Sequence, residues 1–387
     1  MPCMAINIED LRRRARRRLP RMVFDYIDGG AADERTLHAN ESAYADILLR
    51  PRSGVATPAV DLNTTVLGHE LSLPLLLAPV GSSRMFWPRG EARAAAAAGA
   101  AGTGYILSTL SGTPVEEVRA AAGDAPVWYQ LYLAGGRDAA LAAMERAAGC
   151  GCSALVVTVD TPAAGNRERD LRNGAAELLS RNPLKMLPHA WQVAVKPRWL
   201  LDFYRDGGIM SFPNVMLPEG PMPYQDIGAQ LGASVVSWAD LQWIAEAWPG
   251  HIIVKGVHTA DDARQAVDHG AAAVVVSNHG GRQLDGVAPS IRVLPEVVAA
   301  VGAEVEVLVD GGIRRGSDIA KALALGARVV LTGRAYAYGL AAAGEAGVSR
   351  AIEILREELI LTMKLLGCAS VHSLDQSLLD VPTAWTA

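Results

Sequence analysis

Ala273-Val274-Val275-Val276-Ser277-Asn278-His279-Gly280-Gly281-Arg282 is a short apolar run that breaks off into a polar, glycine-flanked histidine. An apolar run of this length, bounded by turn residues, reads as a strand buried on both faces, as in a parallel sheet. The same pattern recurs on either side. Leu73–Pro79, Tyr105–Ser108, Val127–Leu131, Ala154–Val159 and Ile252–Lys255 precede it, and Val305–Asp310 and Val329–Thr332 follow, making eight with Ala273–Ser277. Helical patterns fill the intervals at Gly90–Gly102, Pro114–Ala122, Asp138–Gly149, Ser237–Trp248, Thr259–His269, Pro289–Val301 and Gly316–Leu325. Thr113 is placed to cap the second of these, with Pro114 at its first helical position. Eight strand–helix units predict an α/β fold, a (β/α)8 TIM barrel. A doubly wound sheet is the alternative, but no G-x-G-x-x-G follows the first strand.

Two segments stand outside this rhythm. Residues 1–72 read as an N-terminal helical cap with a short capping layer. Residues 173–236 interrupt the fourth unit with a long insert rich in proline and aromatic residues, among them Trp191, Trp199, Phe203, Tyr204 and Phe212. Barrel sites lie among the loops after the strands, so an insert there is expected to be an active-site lid, a membrane contact or a partner surface. The whole chain, 1–387, reads as one barrel domain.

Composition narrows the function. Half of the 387 residues are hydrophobic and 20% are charged, which excludes disorder. A net charge of −5 argues against general nucleic-acid binding. Four cysteines are too few for a disulfide framework, and Cys150-Gly151-Cys152 has no partner pair for zinc, so no metal site is expected. No apolar run is long enough to span a bilayer, and the arginine-rich N-terminus lacks a secretory core. A cytoplasmic location is expected, with Arg12–Arg18 as a solvated helix face.

The strand ends carry the chemistry. His279 follows the sixth strand, where a general base is well placed, and Arg282 three residues on can grip a carboxylate through two parallel hydrogen bonds. Asp160, at the end of strand four, can pair with His279 and stabilise its protonated form. Arg167, in the next loop, is a second candidate clamp. Lys255 closes strand five, either as a Schiff-base amine or as a cation that stabilises charge on a cofactor. Gln130 and Tyr132 share one face of strand three. Asp310-Gly311-Gly312-Ile313-Arg314 and Thr332-Gly333-Arg334 follow strands seven and eight, the common phosphate position of barrels.

These residues carry a resemblance. SNHGGRQLD, DGGIRRGSD followed by TGR, and LPRMVFDYIDGGA, APVG, STL, YQLY, TVDTP, NRERD and VKG resemble the FMN-dependent L-2-hydroxy-acid oxidases and dehydrogenases, from about residue 7 to 380. The resemblance implies FMN as cofactor and oxidation of a 2-hydroxy acid to the 2-oxo acid. It implies His279 as base, oriented by Asp160. Arg167 and Arg282 become the carboxylate clamp, with Tyr26 and Tyr132 as substrate-binding hydroxyls. Lys255 falls beside the flavin. Val80, Gly81, Ser108, Gln130, Thr158 and Ser277 are implied around the ring and ribityl chain. Asp310, Gly311, Gly312, Arg314, Gly333 and Arg334 are implied around the ribityl chain and phosphate.

Gly81 and Leu110 replace an alanine and a tryptophan of glycolate oxidases. Both changes enlarge the space for a side chain, favouring lactate or a bulkier acid such as mandelate. WPRGE, GNRERDLRN and KPRWLLDF lean toward the bacterial lactate and mandelate dehydrogenase branch. By that resemblance, the electron acceptor is a quinone, another carrier or O2, and the assembly is a homotetramer. Residues 178–204, with Leu, Met and Trp among Arg181, Lys185, Lys196 and Arg198, suit an interfacial patch on the inner face of the cell membrane. The competing reading is an FMN barrel that oxidises a modified peptide or amino-acid intermediate, which would not need both arginines.

Overall fold

The structure, a computed structural model, describes residues 5–174, 184, 187–232 and 234–385. Its strands are β1 (Leu48–Leu49), β2 (Thr64–Val66), β3 (His69–Leu71), β4 (Leu75–Leu77), β5 (Gly104–Ser108), β6 (Val127–Leu131) and β7 (Ala154–Thr158). They continue with β8 (Ser211–Leu217), β9 (Gly220–Pro223), β10 (His251–Val257), β11 (Ala273–Val276), β12 (Glu306–Asp310), β13 (Val330–Thr332) and β14 (Leu379–Asp380). Strands β4 to β7 and β10 to β13 form a closed parallel barrel, sealed where β7 pairs with β10 and β13 with β4. Each expected strand is present with its ends within two residues of expectation, and each expected helix with its ends within three. The short helix after β5 spans Val115–Ala121 with Pro114, not Thr113, as its N-cap. Pro114 has extended backbone at that point, so the helix starts one residue later than its Thr-Pro signal implies.

Period-two alternation explains both layers of the core. Leu76, Ile106, Trp128, Val156, Ile253, Val275 and Leu308 point into the barrel and pack with one another. The β2–β3 hairpin plugs the bottom of this lumen with Val66 and Leu71. Their neighbours Leu77, Leu107, Leu131, Val157, Val254, Val274 and Val309 face the surrounding helices. Two residues further along the inward face, the lumen ends in a polar layer: Ser108, Gln130, Thr158, Lys255, Ser277 and Asp310, all buried. The alternation that fills the barrel with apolar side chains thus also floors the mouth with polar ones.

The N-terminal segment folds as three helices, Ile8–Arg18, Arg21–Asp28 and Arg35–Asp46. Asn7 caps the first by accepting from the Asp10 amide at 2.9 Å, and Ile8, Leu11 and Ala15 form its buried stripe. Arg13, Arg16 and Arg17 are exposed, as the basic-face reading expects. Arg12 and Arg18 are not merely solvated. Arg12 is held to buried Asp28 at 2.5 Å, and Arg18 donates to the Phe86 carbonyl at 2.7 Å and to Asp202 at 2.6 Å.

Between β7 and β10 lie the helices Glu168–Asn173 and Pro197–Arg205 and the antiparallel β8–β9 hairpin. Trp199, one of the aromatic residues of the insert, turns inward. It is buried, donates its indole N–H to the Met85 carbonyl at 2.7 Å and stacks on Phe203 at 5.0 Å. Trp191, Val195, Leu201 and Tyr204 are exposed, as are Leu184 and Leu187. Arg181 and Lys185 lie outside the described residues. No helix among the described residues is long and apolar enough to cross a membrane.

Candidate active site

A cavity of about 470 Å³ opens at the C-terminal mouth of the barrel. Its walls come from the ends of the barrel strands, the helix Arg21–Asp28 and the turn after β9. Of the residues singled out in the sequence, Tyr26, Val80, Gly81, Ser108, Gln130, Tyr132, Thr158, Arg167, Lys255, His279 and Arg282 all line it. So do Asp310, Gly311, Gly312, Arg314, Gly333 and Arg334. Ser277 lies just beneath, accepting a hydrogen bond from Lys255 at 2.9 Å. Asp160 stands behind His279, with its carboxylate oxygens 3.0 and 3.2 Å from the His279 Nδ1.

His279 has a left-handed backbone with φ of 58°, followed by Gly280 at 62° and Gly281 at 74°. A histidine tolerates this region better than a branched residue, and the two glycines let the turn continue. The chain there cannot be filled: a Cβ on Gly281 would lie 2.5 Å from the Leu37 amide nitrogen. The turn therefore aims the imidazole into the mouth while packing the loop against the N-terminal cap. Gly256 does comparable work for Asp160. At φ of 103° it makes an irregularity in β10, and a Cβ there would sit 2.6 Å from the Asp160 Cβ. Only a glycine lets β10 pass so close to the aspartate.

Burial pushes the His279 imidazole below its ordinary range, and Asp160 opposes this without overcoming it. For Asp160, burial works upward, but the charge and hydrogen bond of His279 hold the carboxyl below its usual value. The pair thus leaves a neutral imidazole whose Nδ1 is committed to a carboxylate. Lys255 is buried 3.0 Å from the Asp310 carboxylate. Burial disfavours its cation, yet Asp310 and then Asp160 outweigh this and raise its pKa.

The two arginines are held by neutral oxygens. Arg282 donates to the carbonyls of Tyr26 at 2.8 Å and Gly29 at 3.0 Å, with its guanidinium 5.1 Å from the Tyr26 ring centroid. Arg167 reaches the Arg282 carbonyl at 3.4 Å and the Gln283 side chain at 3.2 Å. Burial, then the like charge of Arg167, lowers the Arg282 pKa. Two cations so arranged are stabilised by an anion placed between them.

The polar floor also tests the fit of a cofactor. The Nε2 of Gln130, the Oγ1 of Thr158 and the Oδ1 of Asp310 are buried with no hydrogen-bond partner among the described residues. Unsatisfied buried groups of this kind call for a polar ligand. Gly311 and Gly312, with φ of 95° and 82°, carry the backbone past the same wall. They also admit the cap, because a Cβ on Gly312 would meet the Asn40 carbonyl oxygen at 1.8 Å. Arg334 donates to the carbonyls of Ile27, Gly280 and Gly29 at 3.0, 2.8 and 2.7 Å, tying cap to barrel at the cavity edge.

The sequence matches the family described as FMN-dependent dehydrogenase over residues 15–381. The chain belongs to the FMN-dependent dehydrogenase family. The family is that of an oxidoreductase flavoprotein, and the orphaned polar atoms on the cavity floor suit its FMN. An L-lactate dehydrogenase of Caulobacter vibrioides (strain NA1000 / CB15N) is 45% identical over 378 residues, covering 96% of each chain. An L-lactate dehydrogenase of Ectopseudomonas mendocina (strain ymp) is 43% identical over 96% of this chain and 97% of its own. Among solved structures, the monotopic membrane protein (S)-mandelate dehydrogenase superposes with a TM-score of 0.91 at 37% identity, over 98% of this chain and all of that one. A mandelate oxidase superposes with a TM-score of 0.81 at 36% identity, over 97% of this chain and 98% of that one.

Several lining residues escaped the sequence reading. Tyr224 and Ile227 come from the insert, and Asp170 from the helix Glu168–Asn173. Gln283 braces the site by donating to the carbonyls of Asp160 at 3.0 Å and Ala163 at 2.9 Å. Its place in the RQLD stretch was the available signal. Gly81 and Leu110, read as opening space for a substrate side chain, line the cavity together. A Cβ on Gly81 would lie 3.2 Å from the Leu110 Cβ.

Proposed function

We propose that this protein oxidises an L-2-hydroxy acid, lactate or a bulkier acid such as mandelate, to the 2-oxo acid. The observation that carries the reading is the His279–Asp160 pair facing a cavity that also holds Arg167 and Arg282. Base and carboxylate clamp in one pocket match a substrate whose reacting carbon sits beside a carboxylate. The lactate and mandelate enzymes among its relatives support the same substrate class.

In this reading Arg282 and Arg167 bind the substrate carboxylate and fix its orientation. The phenol hydroxyls of Tyr26 and Tyr132 orient the 2-hydroxyl group. Burial raises the Tyr132 pKa, so it acts as a protonated donor. Nε2 of His279, left free by the Nδ1 contact, takes a proton from the substrate, and Asp160 stabilises the imidazolium formed. FMN, when bound, supplies the two-electron acceptor. Val80, Gly81, Ser108, Gln130, Thr158, Lys255 and Ser277 would hold its ring side, and Asp310, Gly311, Gly312, Arg314, Gly333 and Arg334 its ribityl and phosphate end. Lys255 keeps a buried positive charge at the strand end, where negative charge is best stabilised.

The electrons leave to a quinone, with another carrier or O2 as alternatives. The exposed Leu187, Trp191, Val195 and Tyr204, interleaved with Lys196 and Arg198, favour peripheral contact with the inner face of the cell membrane. Steady-state dye reduction by the FMN-loaded protein tests the proposal. L-Lactate or L-mandelate should drive turnover and their D-enantiomers should not. Turnover with neither L-acid would overturn it.

A further inference from the structure

We propose that Tyr224, supplied by the insert rather than by the barrel, sets the upper size of the substrate side chain. The inference rests on the 2-hydroxy-acid reading above. Tyr224 opens the short 3-10 turn that follows β9, and its side chain lines the cavity. The β8–β9 hairpin that delivers it is bolted to the barrel. Asn214, buried in β8, accepts from the Val115 amide at 3.0 Å and donates to the Thr113 carbonyl at 3.0 Å. Arg146 donates to the Pro213 carbonyl at 2.6 Å.

The ring of Tyr224 rests on Phe212, with centroids 5.3 Å apart, and Phe212 is fully buried. Phe212 therefore backs the Tyr224 ring. The Tyr224 side chain shares the cavity lining with Tyr26 and with the wall of Gly81 and Leu110. At that wall the side chains are already small, since Gly81 has none and Leu110 is the residue it faces. Tyr26 and Tyr132 have polar work at the substrate's reacting end. Tyr224 is then the remaining tyrosine among the described lining residues, available to bound the space beyond it. Gly81 and Leu110 open the space from the barrel side, and the insert bounds it through Tyr224.

The test compares kcat/KM for L-mandelate and L-lactate in FMN-loaded wild type, Tyr224→Ala and Tyr224→Phe, with flavin content measured in each. Differences of about one methylene in an apolar pocket change selectivity roughly tenfold or more. Tyr224→Ala should raise the mandelate-to-lactate ratio by at least about tenfold at unchanged flavin content. Tyr224→Phe, which keeps the ring, should keep the wild-type ratio. An Ala variant whose ratio is unchanged or moves toward lactate overturns the inference alone. A wild type that oxidises neither acid overturns the underlying reading and the inference with it. If Tyr224→Ala fails to retain flavin, Tyr224→Leu carries the same comparison with a smaller opening.

Discussion

The Nδ1 of His279 lies 3.0 Å from the Asp160 carboxylate, although the two residues are 119 positions apart in sequence. This contact fixes which imidazole nitrogen faces the cavity. It also opposes the burial that depresses the His279 pKa. A base must be neutral to work, so kcat/KM should be flat at neutral pH. It should fall as pH drops through a value below the ordinary 6.5 of histidine. Asp160→Asn removes the opposing influence and should move that acid limb to lower pH. It should also cut kcat by about 10²–10⁴-fold, because the imidazolium loses its partner. A pH–rate profile of both proteins checks the sign. An acid limb that moves upward in the variant would contradict the account.

The two arginines should differ in weight. Arg282 is fixed by two backbone carbonyls, whereas Arg167 is held at 3.4 and 3.2 Å by longer contacts. A charge-assisted hydrogen bond contributes about 1.5–3 kcal/mol. Arg282→Lys should therefore lower kcat/KM roughly 10–150-fold, and Arg167→Lys by less. Competitive inhibition by oxalate should weaken in the same order, since oxalate presents the same carboxylate.

Lys255 and Asp310 form a buried ion pair at 3.0 Å. Lys255→Met strands the Asp310 carboxylate, a change that costs about 3–5 kcal/mol where no other partner steps in. The melting temperature of the apoprotein should drop accordingly. The double variant Lys255→Met/Asp310→Asn should recover most of that stability. Turnover should stay low in both, because the positive charge at the strand end is gone.

Asp28 lies between Arg12 and Arg169, at 2.5 and 2.8 Å, and accepts from the Tyr338 hydroxyl at 2.8 Å. Burial works upward on its pKa, but the Arg12 hydrogen bond and charge outweigh it and bring the carboxyl down to about 2 from 3.8. A folded-state pKa below the unfolded one means stability that is present above about pH 4 and lost as pH falls toward 2. That difference corresponds to about 2 kcal/mol. Asp28→Asn should destabilise the protein at neutral pH by a similar amount or more. Its stability should then fall less steeply below pH 4 in urea titrations followed by circular dichroism.

The barrel was legible because alternation is local. Each apolar run from Leu73–Pro79 to Val329–Thr332 announced a strand, with Lys255 and Asp310 legible at strand ends and Gln130 from its strand face, whereas Ser108, Thr158 and Ser277 were implied by the family resemblance; all six sit two residues beyond the inward apolar layer. The motif residues His279 and Arg282 were visible for the same reason, since they directly follow a strand. What escaped depends on non-local packing. Nothing around Gly256 in sequence reveals that the Asp160 side chain occupies the space where its Cβ would be. Tyr224 follows a hairpin in an irregular, proline-rich insert, and the anchoring of Asn214 near Thr113 and of Pro213 at Arg146 brings it over the cavity. Trp199 and Trp191 look alike in the sequence of the insert, but the Trp199 indole turns inward to the Met85 carbonyl. Arg12 and Arg18, in a run of arginines, are indistinguishable from their exposed neighbours until Asp28 and Asp202 are folded beside them.

The central claim is that His279, Asp160, Arg167 and Arg282 act together on a 2-hydroxy acid at a bound flavin. The most direct measurement is the anaerobic visible spectrum of the FMN-loaded protein and of His279→Gln, before and after adding L-lactate, L-mandelate and glycolate in turn. The account predicts that the wild-type flavin bands bleach within the mixing time with lactate or mandelate. In His279→Gln the flavin should stay bound and bleach about 10²–10⁴-fold more slowly. Bands that persist in the wild type with all three acids, or that bleach equally fast in the variant, would contradict it.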